Sequence, residues 1–524
     1  MKNKKKFTIY CFLVLFFLLF LKIDYRFIDD ITCCGDDFDY YIHAKTIAID
    51  NDLDYSNNLE NDPYFYKFND VIAPKGFIGT GIMSAPFLYF GSVLNKYIVN
   101  NNFFNYEIIF YSLSSIFYFL LSIVLLNNAF ERLNLKIGNF FVFLIFFGSG
   151  LPYYAFERYS MTHSYEVFIN VLIFTLVVAL HKETNNRKVY FLIIGILLSI
   201  CLGLLIRWTN YYILFLPFLY KNLLGELGLS TKKMFRFPIT YIGTALSFYI
   251  FYWLSKSVYG RFILDPRKVY GEKKEVAELI SIDNGFVNTL ISYASNIVNI
   301  LFGNEFGLFW TSPITFLFVP VILIFFFERK YKIFSILLLI FIQIFGIVII
   351  WQSTASSYGY RYVFSLIPIA LISFVILNKY GKYDYLKFYL YPFSIFSMFS
   401  VLFFETNINT QLSLIETANS FGRITKYTQP NYVTGYLSSF SNPESYQIIF
   451  LTSVLGAFVF KILQSVVGYK ELLELLNTLG LPITNTDFQN FYINLERIEY
   501  LKFITLIVFF ILFSKKIYRK KNNN

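Results

Sequence analysis

The stretch MKNKKKFTIYCFLVLFFLLFLKIDYR, residues 1 to 26, decides which solvent this chain folds in. Lysines open it, no charge interrupts Phe7 to Leu21, and Lys22, Asp24, Tyr25 and Arg26 follow where a secretory signal would carry small residues for cleavage. It reads as an uncleaved anchor with its basic end in the cytoplasm. The rest of the 524-residue chain agrees, being 56% hydrophobic, 21% aromatic and only 15% charged, with a mean hydropathy of +0.53. A soluble fold of that length could not hide so much apolar surface, so lipid is the solvent for most of it. The 65 Phe and 43 Tyr suit helix packing and the membrane interface.

Apolar windows at 7–23, 105–127, 139–157, 166–180, 190–206, 209–221, 236–255, 313–327, 333–351, 362–377, 386–404 and 499–514 predict an all-α polytopic bundle. That is about 12 membrane helices, within a range of about 11 to 13. With the N-terminus inside, the basic clusters KNKKK at 2–6, HKETNNRK at 181–188, TKKMFR at 231–236, ERKYK at 328–332 and KKIYRKK at 515–521 all fall in the cytoplasm. The run RFILDPRKVYGEKK at 261–274 is the exception, in an external loop long enough to escape the rule. The formal charge of +11 is thus spread over short loops and forms no nucleic-acid face. The division that follows is a membrane module over 1–404 with an external loop at 24–80, an external region at 405–498, and a last span with a basic tail at 499–524. Within the second, 450–468 reads as an interfacial helix.

Four cysteines cannot frame a fold. Cys11 and Cys201 lie in apolar segments, and the adjacent Cys33 and Cys34 could bridge only with strain. No Cys or His spacing of a metal site is present, and the histidines are His43, His163 and His181.

The loop 24–80 carries twelve carboxylates against four bases, Arg26, Lys45, Lys67 and Lys75. A solvated acidic loop would explain the count but not the local order. Gly35 precedes Asp36 and Asp37, and FDYYIHAKTIAID at 38–50 spaces apolar residues as an interfacial helix would. The two Asp fall at its N-terminus, where the helix dipole favours carboxylates. Adjacent carboxylates can divide labour, one taking a proton from an acceptor hydroxyl and the other holding the acceptor or a metal. Asp50, Asp52 and Asp54 read as a polar turn, and the glycine and final glutamate of an EF-hand are missing.

These residues carry a resemblance. GDDFDYYIHAKTIAIDNDLDY at 35–55 and APKGFIGTGIMSAPFLYFG at 73–91 resemble the opening of bacterial GT-C membrane glycosyltransferases. That group is related to the dolichyl-phosphate-mannose protein mannosyltransferases and the lipid A aminoarabinose transferases. The similarity continues in order through RYSMTHSYEVF at 158–168, GLLIRWTNYYILFLPFLY at 203–220, GLFWTSPITFLFVP at 307–320 and SSYGYRYVFSLIPIAL at 356–371. It implies a GT-C-type bundle with external loop helices in the inner membrane, its site facing the outside or periplasm. The reaction it implies moves a sugar from a polyprenyl-phosphate donor to an acceptor hydroxyl on a protein, lipid or glycan, with inversion. By the family pattern Asp36 is the base and Asp37 its partner. Asp39 stands where many relatives have His, and Pro74-Lys75-Gly76 replaces a His-Pro before glycine; both departures lie on the acceptor side. A divalent metal would fit paired carboxylates, but the sequence requires none.

A leaving phosphate needs cations, and Arg suits it through its fork. Lys75, Arg158, Arg207 and Arg361 each end an apolar run on the external side, where snorkelling to headgroups is the plain alternative. Arg361 is the strongest of them, with Gly359 allowing close approach and Tyr360 beside it for sugar or prenyl contact. Tyr40 and His163, the latter read as lying on an external turn near Glu166, are the further substrate-binding candidates. A transporter or flippase for a lipid-linked sugar would instead bury ionisable residues in mid-span or show matched halves. An O-antigen ligase or polymerase would keep its essential residues in a late loop, and a scaffold would not need the early carboxylates.

Overall fold

A helix with three acidic residues in its first turn and His43 and Lys45 in its last is aligned with its own dipole, and α1 (Asp36–Lys45) is such a helix. The computed structural model describes residues 36–59, 65–98, 106–135, 137, 139–229, 238–265, 267–270, 286–303, 307–351, 359–403, 446, 450 and 453–478. The proposed anchor at 7–23, the last span at 499–514, Cys11, Cys33 and Cys34 lie outside the described residues. Helix α1 continues as a π-turn over Thr46–Asp50 and stops where Asn51 turns left-handed at φ 63°. The polar turn expected at 50–54 follows, with the Asp54 amide donating to Asp52 and the Ser56 amide to Asp54.

The described chain is almost entirely helical: α2 (Gly79–Ile98), α3 (Tyr106–Arg132), α4 (Asn139–Phe147), α5 (His163–Lys182), α6 (Asn186–Ile206), α7 (Leu216–Glu226), α8 (Pro238–Tyr259) and α9 (Phe286–Phe302). Then come α10 (Phe318–Phe327), α11 (Tyr331–Trp351), α12 (Leu366–Leu377), α13 (Tyr385–Phe403), α14 (Val454–Val467) and α15 (Tyr469–Thr478). Four of them are long and apolar enough to cross a membrane: α3, α5, α6 and Tyr331–Ile349 of α11. They mark a membrane protein. In hydrocarbon every polar backbone group must be satisfied within the segment, which helices do. The serines of α3 follow suit, Ser112, Ser114 and Ser122 donating back to the carbonyls of Ile109, Tyr111 and Tyr118.

Several sequence windows are modified. The window 139–157 is broken at Gly148-Ser149-Gly150 and ends in a π-turn over Tyr153–Glu157. Those at 209–221, 313–327 and 362–377 begin as 3-10 turns over Asn210–Phe215, Pro313–Leu317 and Arg361–Ser365. Helix α2 was absent from the windows because Gly79, Gly81, Ser84, Pro86 and Gly91 depress its hydropathy; those small residues let it press against α1, α3 and α6. Helix α9 lies between the windows 236–255 and 313–327, where no span was expected, and α14 falls within 450–468, read as an interfacial helix, with α15 following directly after it. The segment between α1 and α2 also holds a hairpin, β1 (Tyr66–Phe68) antiparallel to β2 (Val71–Ala73), with Tyr66 opposite Ala73. Arg261, just past α8, fixes it by donating to the Tyr66 hydroxyl at 2.8 Å and lying 4.4 Å over the Phe68 ring.

Contacts at the helix ends sort the bundle into two poles. Helices α3 and α5 run side by side from Ser114 and Tyr165, which share a hydroxyl contact of 2.6 Å, to Arg132 and Lys182, where the lysine donates to the Arg132 carbonyl. Helix α6 returns, so its C-terminus lies beside the start of α5. At the far pole Lys330 pairs with Glu226, Lys382 with Glu328, and Lys379 donates to the Glu226 carbonyl. Basic residues of the loops at 181–188 and 328–332 therefore share one pole, and α1 sits at the other.

Candidate functional site

Asp36 and Asp37 open α1, so their side chains leave the first turn in different directions. Asp37 is buried at 1% exposure and accepts from the buried Arg158, which follows the π-turn after α4. Asp36 keeps a third of its side chain open, at 33%, and its Oδ2 accepts from Arg361 at 3.1 Å. Arg361 opens the 3-10 turn that leads into α12. It needs the preceding chain to double back sharply: Gly359 is left-handed at φ 63°, and a Cβ there would lie 2.9 Å from the Thr311 hydroxyl.

A third carboxylate completes the cluster. Glu166, in the first turn of α5 and fully buried, pairs with Arg207 at 3.1 Å and accepts from the Ser365 hydroxyl at 2.8 Å. Arg207 also donates to the Thr162 hydroxyl and comes within 3.3 Å of the His163 ring. Tyr362 sits between two of the arginines, its ring centre 4.7 Å from Arg207 and 5.6 Å from Arg361. Three arginines from 158, 207 and 361 thus converge on three acids from 36, 37 and 166. A buried charge is tolerated only when paired and hydrogen-bonded, and each of these is paired.

The other sequence candidates fall around this cluster. Lys75 makes no described ion pair; its charge acts on Asp39, and its carbonyl accepts from the Trp208 indole at 3.2 Å. Tyr40 is buried and its ring lies so close to Gly76 that a Cβ there would stand 2.7 Å from Cε1. Tyr360 is buried at 9% exposure as the cap of the 3-10 turn. His163 does not lie on an open turn: it is fully buried, its ring 4.4 Å from that of Tyr154, because the loop before α5 folds into the core.

Behind Asp36 the same helix grips the loop 74–78. The Gly76 amide donates to Asp39 at 2.9 Å, while the His43 Nε2–H donates to the Gly76 carbonyl at 2.8 Å. Nδ1 of His43 then accepts from the Tyr55 hydroxyl at 2.7 Å, and Tyr259 from α8 donates to the same Gly76 carbonyl at 2.6 Å. Phe77 stacks on Trp208 at 3.9 Å beside this clamp. Burial, helped by Asp36, pushes the Asp39 carboxyl up to about 7 against the pull of the Gly76 and Lys75 amides. Burial pushes the His43 imidazole down to about 4. Asp39 thus holds backbone through the Gly76 amide.

Sequence reasoning missed Glu166 as a site member, Ser365 and Tyr362. The signal for Glu166 was present, since an acid one turn into an apolar helix is costly unless something holds it. Along the four candidate spans every Asp, Glu, Lys and Arg lies in a first or last turn. Among the described residues no group of three or more His, Cys, Asp or Glu gathers as a metal would need, and Asp36 and Asp37 are each turned to an arginine. No protein-family model, curated protein or solved structure matches the chain.

Proposed function

We propose that the chain is an integral membrane glycosyltransferase that takes a sugar from a polyprenyl-phosphate donor at the outer face of the cytoplasmic membrane. One observation carries the reading: the partly open Asp36 is held at the pole of the bundle where arginines from three distant segments meet. In this reaction Asp36 takes the proton of the acceptor hydroxyl. The freed oxygen bonds to the anomeric carbon from the face opposite the phosphate. The bond from that carbon to the phosphate oxygen breaks, and the departing phosphate keeps the electron pair and gains charge. Arg361 and Arg207, on either side of Tyr362, are the forks that would receive it. Asp37 and Glu166 hold Arg158 and Arg207 in place.

The outward orientation rests on charge, since the loops at 181–188 and 328–332 lie at the pole opposite Asp36 and basic loops stay in the cytoplasm. A lipid carrier suits such a site, because it can present a sugar on the side that nucleotide sugars do not reach. Charges confined to the ends of the spans favour this reading over a transporter, which needs them in mid-membrane.

The test is transfer of radiolabelled sugar from a panel of polyprenyl-phosphate donors, in membranes holding equal amounts of wild type or Asp36→Asn. Transfer by the wild type, lost in the variant, supports the assignment. Equal transfer by both removes Asp36 as the base, and no transfer from any donor returns the weight to transport.

A further inference from the structure

A second feature lies at the opposite pole. The C-termini of α3 and α5 and the start of α6 enclose a groove of about 500 Å³, lined by Arg132, Lys182, Glu183, Lys188, Phe191 and Leu192 among others. Its rim carries three cations and one carboxylate. Glu183 spends Oε1 on the turn, accepting from the amides of Thr184 and Asn185 at 3.0 Å each. Lys182 is anchored across the groove by its bond to the Arg132 carbonyl, which closes the last turn of α3. The groove is therefore a fixed gap between three helix ends and not a loose loop.

Its depth in the bilayer follows from helix length. At ~1.5 Å per residue α3 is about 40 Å long, more than the roughly 30 Å of hydrocarbon, so its terminal Arg132 reaches headgroup level. Lys182 ends α5 at the same height. Phe191, 64% exposed, and the half-buried Leu192 lie three and four residues beyond Lys188 along α6, about one turn to the hydrocarbon side of it. Cations at headgroup depth above an apolar wall match one kind of molecule in that position.

We propose that this groove binds an anionic glycerophospholipid of the surrounding bilayer, its phosphate held by Arg132, Lys182 and Lys188 and an acyl chain lying along Phe191 and Leu192. The site is independent of the chemistry proposed around Asp36.

The experiment uses the full chain purified in neutral detergent and a fluorescent short-chain phosphatidylglycerol, with phosphatidylcholine and inorganic phosphate as competitors. Saturable binding is expected that phosphatidylcholine and phosphate do not displace, weakened about tenfold or more in K182Q/K188Q. Phe191→Ala should weaken lipid binding too, which a bare anion site would not feel. The control K379Q/K382Q removes two charges from the same pole, off the groove, and should bind as wild type does. Equal loss in both double variants would reduce the effect to general surface charge and overturn the proposal. So would displacement by phosphate alone, or unchanged binding in K182Q/K188Q with a wild-type melting temperature.

Discussion

The two poles of the bundle both contain acid–base pairs, and they differ in what surrounds them. At the far pole Lys330–Glu226 and Lys382–Glu328 are at least 30% exposed on both sides, although they too join segments distant in sequence. At the α1 pole Arg158–Asp37 and Arg207–Glu166 are nearly dry and join segments 121 and 41 residues apart in sequence. An exposed pair such as Lys330–Glu226 is worth about 0–1 kcal/mol, because water competes for both partners. A buried pair gives little net stability either, yet removing one partner strands a charge at a cost of about 3–5 kcal/mol. One pole tolerates its charges and the other is organised by them.

The largest contrast should appear in activity. Under the proposed reaction Asp36→Asn should lower sugar transfer by about 10²–10⁴-fold per folded molecule, the range of a general base, beyond any destabilisation from leaving Arg361 without its carboxylate. A rate that falls only in step with the folded fraction would make Asp36 merely structural. Next, Asp37→Ala and Arg158→Ala should each destabilise by about 3–5 kcal/mol, and the double variant by less than their sum. Additive losses in denaturant unfolding would separate the two residues. Gly76→Ala should cost about 1–3 kcal/mol by forcing the Tyr40 ring aside, measurable in the same assay. Lys330→Gln marks the lower end, with a shift of at most about 1 kcal/mol.

The clamp on Gly76 yields a pH signature. Asp39, with its folded pKa raised to about 7, contributes stability that is complete below its ordinary value of 3.8 and is lost as pH rises through about 7. His43, lowered to about 4 from 6.5, acts in the opposite sense, its contribution present above 6.5 and lost as pH falls through about 4. The two slopes oppose each other below pH 6.5. In Asp39→Asn the melting temperature should therefore rise from pH 4 to about 6.5 more steeply than in wild type, then stay level. An unchanged profile would place the Asp39 carboxyl in contact with water.

The same contrast explains what could be read without coordinates. Helix α1 and its acidic start were legible because dipole, periodicity and glycine agree over a few residues. The arginines stood out because each ends an apolar run. Which acid each arginine meets was not legible, since the pairings depend on how distant helices pack. Local pattern also misled: the small residues that seat α2 lower the hydropathy by which a window is found, and Gly148-Ser149-Gly150 leaves a window apolar while breaking its helix.

The bond between Asp36 and Arg361 spans 325 residues, and a membrane protein enters the bilayer as it is made. At about 5–20 residues per second the ribosome needs roughly 15–65 s to deliver the arginine after the aspartate. Through that interval the early carboxylates face water or lipid headgroups with their last partner unmade. Any chain cut short before residue 361 holds the aspartate without the arginine that fixes it, so no truncated product contains the completed pair.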